Sequence, residues 1–192
     1  MKELTIRYGI FKASTLLILF LISARILPGC HNDEIDVGQV SRCFYIDSQE
    51  GNDSNNGTSK STPWKSLIKL NNTKLIPGDT VKFKHGSSFS LPLIIEDSGR
   101  ETNYIVLTSY GDKDKKAPTF TNPIFDPEQN NYGNCIRVKG SYVIVEKLYF
   151  EHSVAELSGN IGFLTMWELG AIYIDKTARH CIVRNNELFD CG

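Results

Sequence analysis

Short bursts of alternating apolar residues recur along the chain from residue 43 onward. Three of them, at 81–83, 93–95 and 105–107, begin twelve residues apart, and Gly, Ser, Asp and Asn fill the spaces between them. Brief alternation rich in Val, Ile, Tyr and Phe is typical of β-strands, and little sustained helical periodicity accompanies it. The pattern therefore predicts an all-β protein in which a three-strand unit repeats.

Two stretches of the chain match each other best, residues 136–150 and residues 172–189. Each holds three short strands joined by tight turns, and such a unit buries its apolar face only by stacking on neighbours of the same kind. The match predicts a parallel β-helix solenoid. It also places Asn185 and Asn186 at a turn, where asparagine tolerates a left-handed backbone and can bond to its neighbours in the stack. A β-sandwich has a similar strand density and is the alternative fold.

One segment, residues 61–70, breaks the strand pattern. Thr62 is a suitable N-cap and Pro63 a suitable first helical residue. The apolar side chains that follow lie mostly on one side of a short helix, and they are Trp64, Leu67, Ile68 and Leu70. We therefore predict a short N-terminal helix that caps the open end of the solenoid core.

The first 29 residues have the layout of a signal peptide. Three basic residues lie within the first twelve, and the apolar run at 16–22 is much shorter than the roughly 20 residues that span a bilayer. Residues 27–30, Leu-Pro-Gly-Cys, then resemble the lipobox of bacterial lipoproteins. The resemblance implies cleavage before Cys30, a lipid on that cysteine, and a place at the outer membrane or cell surface. Plain secretion is the alternative.

The polar and acidic residues behind Cys30 predict a flexible tether over 30–42, followed by a β-helix domain over 43–192. The whole chain of 192 residues is 41% hydrophobic and 22% charged, which excludes a coiled coil and wholesale disorder. Its formal net charge of -1 argues against nucleic-acid binding.

The four cysteines beyond Cys30 lack metal-ligand spacing with histidine, so we predict buried thiols and no metal site. The segment from Asn52 is similar to a calcium loop, but Pro63 stands where the bidentate Glu should fall, which rejects an EF-hand.

Four segments, 44–47, 51–58, 62–67 and 77–81, together resemble the N-terminal cap and first coil of secreted right-handed parallel β-helix proteins of the pectate-lyase type. The resemblance implies a right-handed coil, an acidic polysaccharide as partner, β-elimination by a basic residue, and calcium as a cofactor in some members. No C-terminal cap precedes Gly192, so we expect the chain to stop within a coil. Members tend to keep their catalytic groups on middle coils, and we therefore assign no catalytic residue.

Strand alternation predicts which polar side chains point outward together. If the two matched coils stack in register, Arg137 lies beside Tyr173 and Lys139 beside Asp175, about 4.8 Å apart. An aromatic ring can stack on a sugar, and cations can bind uronate carboxylates. The candidate saccharide-binding residues are Lys82, Lys84, Arg137, Lys139, Tyr173 and Asp175. The alternative is that they are charged because the outer face of a solenoid is wet.

The sequence thus favours a surface or periplasmic lipoprotein that binds or cleaves an acidic polysaccharide. A non-catalytic glycan-binding or adhesin-like solenoid is the main rival. A glycoside hydrolase on the same fold is a third possibility, and it needs a pair of carboxylates at a defined separation. No such pair stands out in the sequence, and Asp175 and Asp190 are no more than guesses for it.

Overall fold

The computed structural model describes residues 40–122, 125–126, 131–151 and 170–191. The predicted signal peptide, Cys30, most of the tether and residues 152–169 lie outside the described residues. No helix in the described ranges is long and apolar enough to cross a membrane.

The described part of the chain contains one helix and a series of short strands. In chain order they are β1 (Cys43–Ile46), α1 (Leu67–Asn71), β2 (Thr80–Lys84), β3 (Ser88–Phe89), β4 (Leu93–Ile95), β5 (Ile105–Tyr110), β6 (Thr119–Phe120), β7 (Phe125–Asp126), β8 (Asn131–Tyr132), β9 (Ile136–Val138), β10 (Val143–Glu146), β11 (Tyr149–Glu151), β12 (Ile172–Ile174), β13 (Ile182–Arg184) and β14 (Glu187–Phe189).

The strands form three parallel sheets that the chain visits in rotation. The first sheet has the order β1-β2-β5-β10-β13, the second β3-β6-β11-β14 and the third β4-β9-β12. Among the described strands only β7 and β8 pair antiparallel, as a separate ribbon. Each turn of the chain therefore adds one strand to each sheet, which is a parallel β-solenoid. This confirms the predicted architecture over the sandwich, while the right-handed coil stays a prediction.

The two matched stretches stack in the predicted register. Ile136 pairs with Ile172, Ile144 with Ile182, and Phe150 with Leu188. A repeat predicts register well because each position in a coil faces the same environment in the next coil.

Columns of buried apolar side chains fill the interior. In the first sheet Phe44, Val81, Leu107 and Val145 are aligned by the pairing of neighbouring strands, and all are buried. In the second sheet the rings of Phe89 and Phe120 lie 5.1 Å apart, and those of Phe120 and Phe150 lie 5.6 Å apart. Burying an aromatic side chain of this size is worth about 1.5–3 kcal/mol, so these columns are a main source of stability.

The turns between the first and second sheets use left-handed residues and an asparagine bridge. Lys147 and Asn185 have φ of 59° and 54° at equivalent positions in successive coils. The Asn186 side chain accepts a hydrogen bond from Leu148 N at 3.0 Å and donates one to Val145 O at 2.9 Å. The prediction for this asparagine pair is confirmed, since one residue takes the left-handed backbone and the other bonds to the neighbouring coil.

The predicted start of the helix is wrong. Helix α1 begins four residues after Pro63, and its N-cap is Ser66, whose Oγ accepts a hydrogen bond from Lys69 N. Thr62 lies instead at a bend, where its N–H donates to the Ser59 carbonyl at 3.2 Å, and Trp64 N, directly after Pro63, donates to the Tyr45 carbonyl of β1 at 2.9 Å. Pairing with a distant strand overrides the local helix signal here.

The side chains of this segment join the core only in part. Trp64 is buried and stacks on Phe44 with ring centroids 4.7 Å apart. Leu67 and Leu70 are also buried. The prediction that Ile68 shares this buried face is wrong, because it is 56% exposed. A helix of five residues turns Ile68 away when Leu67 and Leu70 face the core.

Candidate functional site

The third sheet brings four of the predicted site residues onto one outward face. Arg137 pairs with Tyr173 on one side and with Ile94 on the other. Two residues further along the strands, Lys139 N donates to Ile95 O and Asp175 N donates to Val138 O, each at 2.8 Å. Both predicted neighbour pairs, Arg137 with Tyr173 and Lys139 with Asp175, therefore follow from the register.

Arg137 differs from the prediction in its exposure. Its neighbours Ile136 and Val138 lie in the core, so its side chain lies on the outward side, but the residue is only 8% exposed. The guanidinium carbon lies 4.8 Å from the centroid of the Tyr173 ring. A planar guanidinium is weakly hydrated and stacks on aromatic faces, so the ring can cover it. Arg137 is thus a support for Tyr173 rather than a wet surface cation.

Lys139 and Asp175 are held by short contacts. Lys139 Nζ donates to Glu96 Oε1 at 2.8 Å, and both side chains keep solvent contact. The backbone N–H and the hydroxyl of Thr177 donate to Asp175 and, with the nearby charge of Arg137, lower the pKa of that carboxyl. Asp175 is therefore ionised at neutral pH and suits an acceptor or a nucleophile better than a general acid. Sequence reasoning missed Glu96, although it occupies the same position in the preceding coil.

The other two predicted site residues, Lys82 and Lys84, lie on the first sheet. Lys84 Nζ is 2.6 Å from Asp47 Oδ2 and 2.5 Å from Glu50 Oε2. Hydrogen bonds to these two carboxylates raise the pKa of Lys84. A lysine serves as a base only when its pKa is lowered, so Lys84 is unsuited to proton abstraction. Lys82 Nζ lies over the Tyr45 ring, 5.6 Å from its centroid.

The first sheet also carries a polar row that the sequence reading missed. Glu146 is 8% exposed, accepts a hydrogen bond from Arg184 Nε at 2.8 Å and one from Thr108 Oγ1 at 3.3 Å. Burial alone would raise the pKa of Glu146, but the hydrogen bonds from Arg184 and Lys147 hold it below its usual value. The repeat could have revealed this pair, because Glu146 and Arg184 occupy equivalent positions in the two matched coils.

The loop that is similar to a calcium site is used internally. The Asp53 carboxylate accepts hydrogen bonds from the backbone N–H groups of Lys65 and Ser66 and from the Ser66 hydroxyl. Across the described ranges, no group of three or more His, Cys, Asp or Glu side chains is placed to hold a metal ion. The described residues thus do not fit a calcium site, and no step below uses the ion.

The cysteines carry free thiols in the described part of the chain. Cys135 is fully buried, as predicted, whereas Cys43, Cys181 and Cys191 are half-buried. Burial, with a smaller contribution from Cys191, raises the pKa of Cys135 to about 12.

Comparisons with known proteins point to enzymes named for carbohydrate substrates. No family model matches the chain. Over 79 residues it is 40% identical to a lacto-N-biosidase of Bifidobacterium longum subsp. longum, a match that covers 39% of this chain and 5% of that protein. The chain therefore spans only a small part of its curated relative.

Two solved structures share the fold. The crystal structure of a GH136 lacto-N-biosidase from Eubacterium ramulus superposes with a TM-score of 0.50 and 24% identity, covering 62% of this chain and 22% of that one. A rhamnogalacturonan lyase superposes with a TM-score of 0.54 and 17% identity, covering 78% of this chain and 37% of that one. The class of protein that these findings define is a parallel β-helix similar to glycan-active enzymes.

Proposed function

We propose that this chain is the β-helix of a carbohydrate-active protein and that the outward face of its third sheet binds an acidic polysaccharide. The observation that carries the proposal is the Arg137 guanidinium 4.8 Å from the Tyr173 ring, beside Lys139 and Asp175. The names of the relatives, a lacto-N-biosidase and a rhamnogalacturonan lyase, support a glycan as ligand.

Each side chain of this face has a chemical role in the proposal. The half-exposed ring of Tyr173 stacks on the C–H face of a sugar, and Arg137 beneath it fixes the ring. Lys139 exchanges Glu96 for a uronate carboxylate, which forms a charge-assisted hydrogen bond of the same kind. Asp175 accepts a hydrogen bond from a sugar hydroxyl.

Binding is better supported than β-elimination by the described residues. Elimination needs a base of lowered pKa next to the uronate, and Lys84, one of the six predicted residues, has a raised pKa and lies on another sheet. The non-catalytic glycan-binding or adhesin-like role therefore stays open beside the lyase. We assign no catalytic residue for either reaction.

A glycoside hydrolase is the second candidate, and the 40% identity to a lacto-N-biosidase favours it. Such an enzyme needs two carboxyl groups about 5–10 Å apart, one of them with a raised pKa. The lowered pKa of Asp175 suits the nucleophile or base of that pair, and not the acid.

Three predictions from the sequence belong to the same proposal. The lipid on Cys30 and the tether at 30–42 would hold the domain at the outer membrane or cell surface. Trp64 and helix α1 would seal the first coil of a right-handed solenoid, which their burial supports. Cys30→Ala tests the anchor, because the parent should partition into detergent with the membrane fraction and the variant should not. A variant that still partitions with the parent would contradict it.

The binding proposal is tested by titrating the full chain with polygalacturonate and with a neutral polysaccharide. We expect Lys139→Ala, and Arg137→Ala combined with it, to weaken acidic-glycan binding by about 10- to 100-fold, since a hydrogen bond between charged groups contributes about 1.5–3 kcal/mol. Tyr173→Ala should weaken the binding of both polysaccharides, because the ring stacks on either sugar. Lys60→Ala, at an exposed lysine away from the third sheet, is the matched control and should bind as the parent does.

The same samples separate the candidate reactions. A lyase yields unsaturated products that absorb in the ultraviolet, a hydrolase yields new reducing ends without that absorbance, and a binding protein yields neither. A chromogenic lacto-N-bioside tests the hydrolase directly. If the double variant binds every acidic glycan as tightly as the parent, the third sheet is not the site.

A further inference from the structure

A cleft opens at the turns by which the chain leaves the first sheet. Its volume is about 330 Å³, which is within the usual range for small-ligand pockets, about 300–1,000 Å³. The residues that line it include His85, Ser109, Lys113, Ala117, Lys147 and Leu148. None of them belongs to the third-sheet site.

A serine and a histidine form a hydrogen-bonded pair in this cleft. The Ser109 Oγ lies 3.1 Å from His85 Nε2, and His85 Nδ1 lies 3.1 Å from the carbonyl oxygen of Lys115. A carbonyl oxygen can only accept, so Nδ1 must carry the ring proton. In the neutral imidazole His85 Nε2 is then the lone-pair nitrogen, and the Ser109 hydroxyl donates to it. This is the arrangement of a nucleophile, a base and a third group that orients the base.

The backbone holds both partners in place. Ser109 lies near the end of β5, which pairs with β2 from Val106 to Tyr110. His85 follows β2 directly, and its N–H donates to Tyr110 O at 2.8 Å. The N–H of Gly86, which has a φ of 84°, donates to Lys116 O at 2.7 Å. Ser109 and His85 both remain half-buried, so the pair is fixed and still reachable from the cleft.

The rest of the cleft suits a small acyl group. Ala117 and Leu148 give it an apolar wall. Lys113, Asn185 and Glu187 line the same space, and the Lys113 side chain has no hydrogen bond or ion pair with any residue that the structure describes. Lys147 Nζ is 3.3 Å from Glu146 Oε1 and is therefore engaged. Lys113 is the cation free to face a developing oxyanion.

We propose that Ser109 and His85 hydrolyse carboxylic esters of small acyl groups. Ser109 Oγ forms a bond to the ester carbonyl carbon while its proton passes to His85 Nε2, and Lys113 stabilises the oxyanion. The C–O bond to the alcohol then breaks, and His85 gives the proton to the departing oxygen. Water attacks the acyl-Ser109 group, its proton passes through His85 to Ser109 Oγ, and the free acid leaves. The sum is ester plus water giving acid plus alcohol.

The test uses the full chain with p-nitrophenyl acetate and, separately, with a fluorophosphonate that labels activated serines by displacing fluoride. We expect ester turnover and one phosphonate adduct, located on Ser109 by mass spectrometry of peptides. Ser109→Ala and His85→Gln should each lower turnover by about 100-fold or more and abolish the adduct. Ser90→Ala, at an exposed serine outside the cleft, is the matched control and should leave both unchanged.

Two further variants guard against effects on folding. Ser109→Cys keeps the side-chain volume, and it should fold as the parent does while losing the phosphonate adduct. Lys113→Met should lower turnover and retain a slower adduct at Ser109. An unlabelled Ser109 in the parent, or equal turnover by the parent and Ser109→Ala, overturns the proposal. The probe contains no sugar, so that result leaves the glycan proposal untouched.

Discussion

Gly57→Ala tests how tightly the tryptophan segment is packed. Gly57 has a φ of 72° and is buried, and a Cβ built on it would lie 2.4–2.6 Å from three atoms of the Trp64 indole. The indole has no room to retreat, because it stacks on Phe44 at 4.7 Å and its Nε1 donates to the Asn55 carbonyl at 2.9 Å. The added methyl group must therefore displace either the ring or the loop.

The expected magnitude follows from two separate costs. A left-handed residue other than glycine costs about 1–2 kcal/mol, and overpacking a filled site costs about 1–3 kcal/mol. Gly57→Ala should thus lower the free energy of unfolding by about 2–5 kcal/mol. Gly86→Ala is the matched control, because its φ is 84° but the nearest atom to a new Cβ is in the flexible Lys115 side chain at 3.4 Å. Gly86→Ala should therefore lower the free energy of unfolding only by the backbone cost of about 1–2 kcal/mol.

Urea unfolding followed by far-ultraviolet circular dichroism gives both free energies, and tryptophan fluorescence in a Trp167→Phe background reports on the Trp64 ring. We expect Gly57→Ala to unfold at a clearly lower urea concentration than Gly86→Ala, with altered emission before the transition. If Gly57→Ala loses no more stability than Gly86→Ala, the indole does not pack against this glycine. The close packing of Trp64 between Gly57 and Phe44 would then be wrong.

Three further predictions use single contacts. Burial alone would raise the pKa of Asp47, but the hydrogen bonds from Lys84 and from two backbone N–H groups lower it. The contribution of ionised Asp47 to the free energy of unfolding is therefore present above about pH 4 and is lost as the pH falls through the lowered pKa. Lys84→Met should lower the free energy of unfolding by about 1–3 kcal/mol at pH 7 and reduce the further loss of stability at acid pH. If the stability of the variant depends on pH as the parent's does, the pairing of Lys84 with Asp47 is contradicted. Asn186→Ala leaves Leu148 N without its acceptor and Val145 O without this donor, and it should lower the free energy of unfolding by about 1–2 kcal/mol; an unchanged urea midpoint would contradict the bridge. Burial and the pKa of about 12 should make Cys135 unreactive to iodoacetamide at pH 8 until the protein unfolds. Mass spectrometry of labelled peptides checks this, and rapid labelling of Cys135 in the native protein would refute it.

The repeat explains how much of the fold and site was predictable. Residues 136–150 and 172–189 match because stacked positions have the same environment. The sequence match alone therefore predicts that Arg137 lies beside Tyr173, as the strand pairing shows. Exposure was not predictable in the same way. Arg137 is buried with its guanidinium against the Tyr173 ring, whereas alternation shows only which way a side chain points.

The errors come from contacts between parts of the chain that are distant in sequence. Thr62 and Pro63 carry a good helix-start signal, yet Trp64, directly after them, pairs with β1, and the N-cap of the helix is Ser66. His85 and Ser109 lie 24 residues apart, and only the pairing of β2 with β5 brings them together. No local sequence motif records a contact of this kind.

The solenoid places the two proposed chemistries on different parts of each coil. The glycan face belongs to the third sheet, whereas the Ser109 and His85 pair lies at the turns between the first and second sheets. Side chains on one sheet can change while the core columns behind them stay constant, since neighbouring coils contact each other through the same inward positions. The two proposals therefore have separate variants and separate probes. A fold shared with a hydrolase and a lyase does not choose between reactions, and the choice depends on which of these side chains touches a substrate.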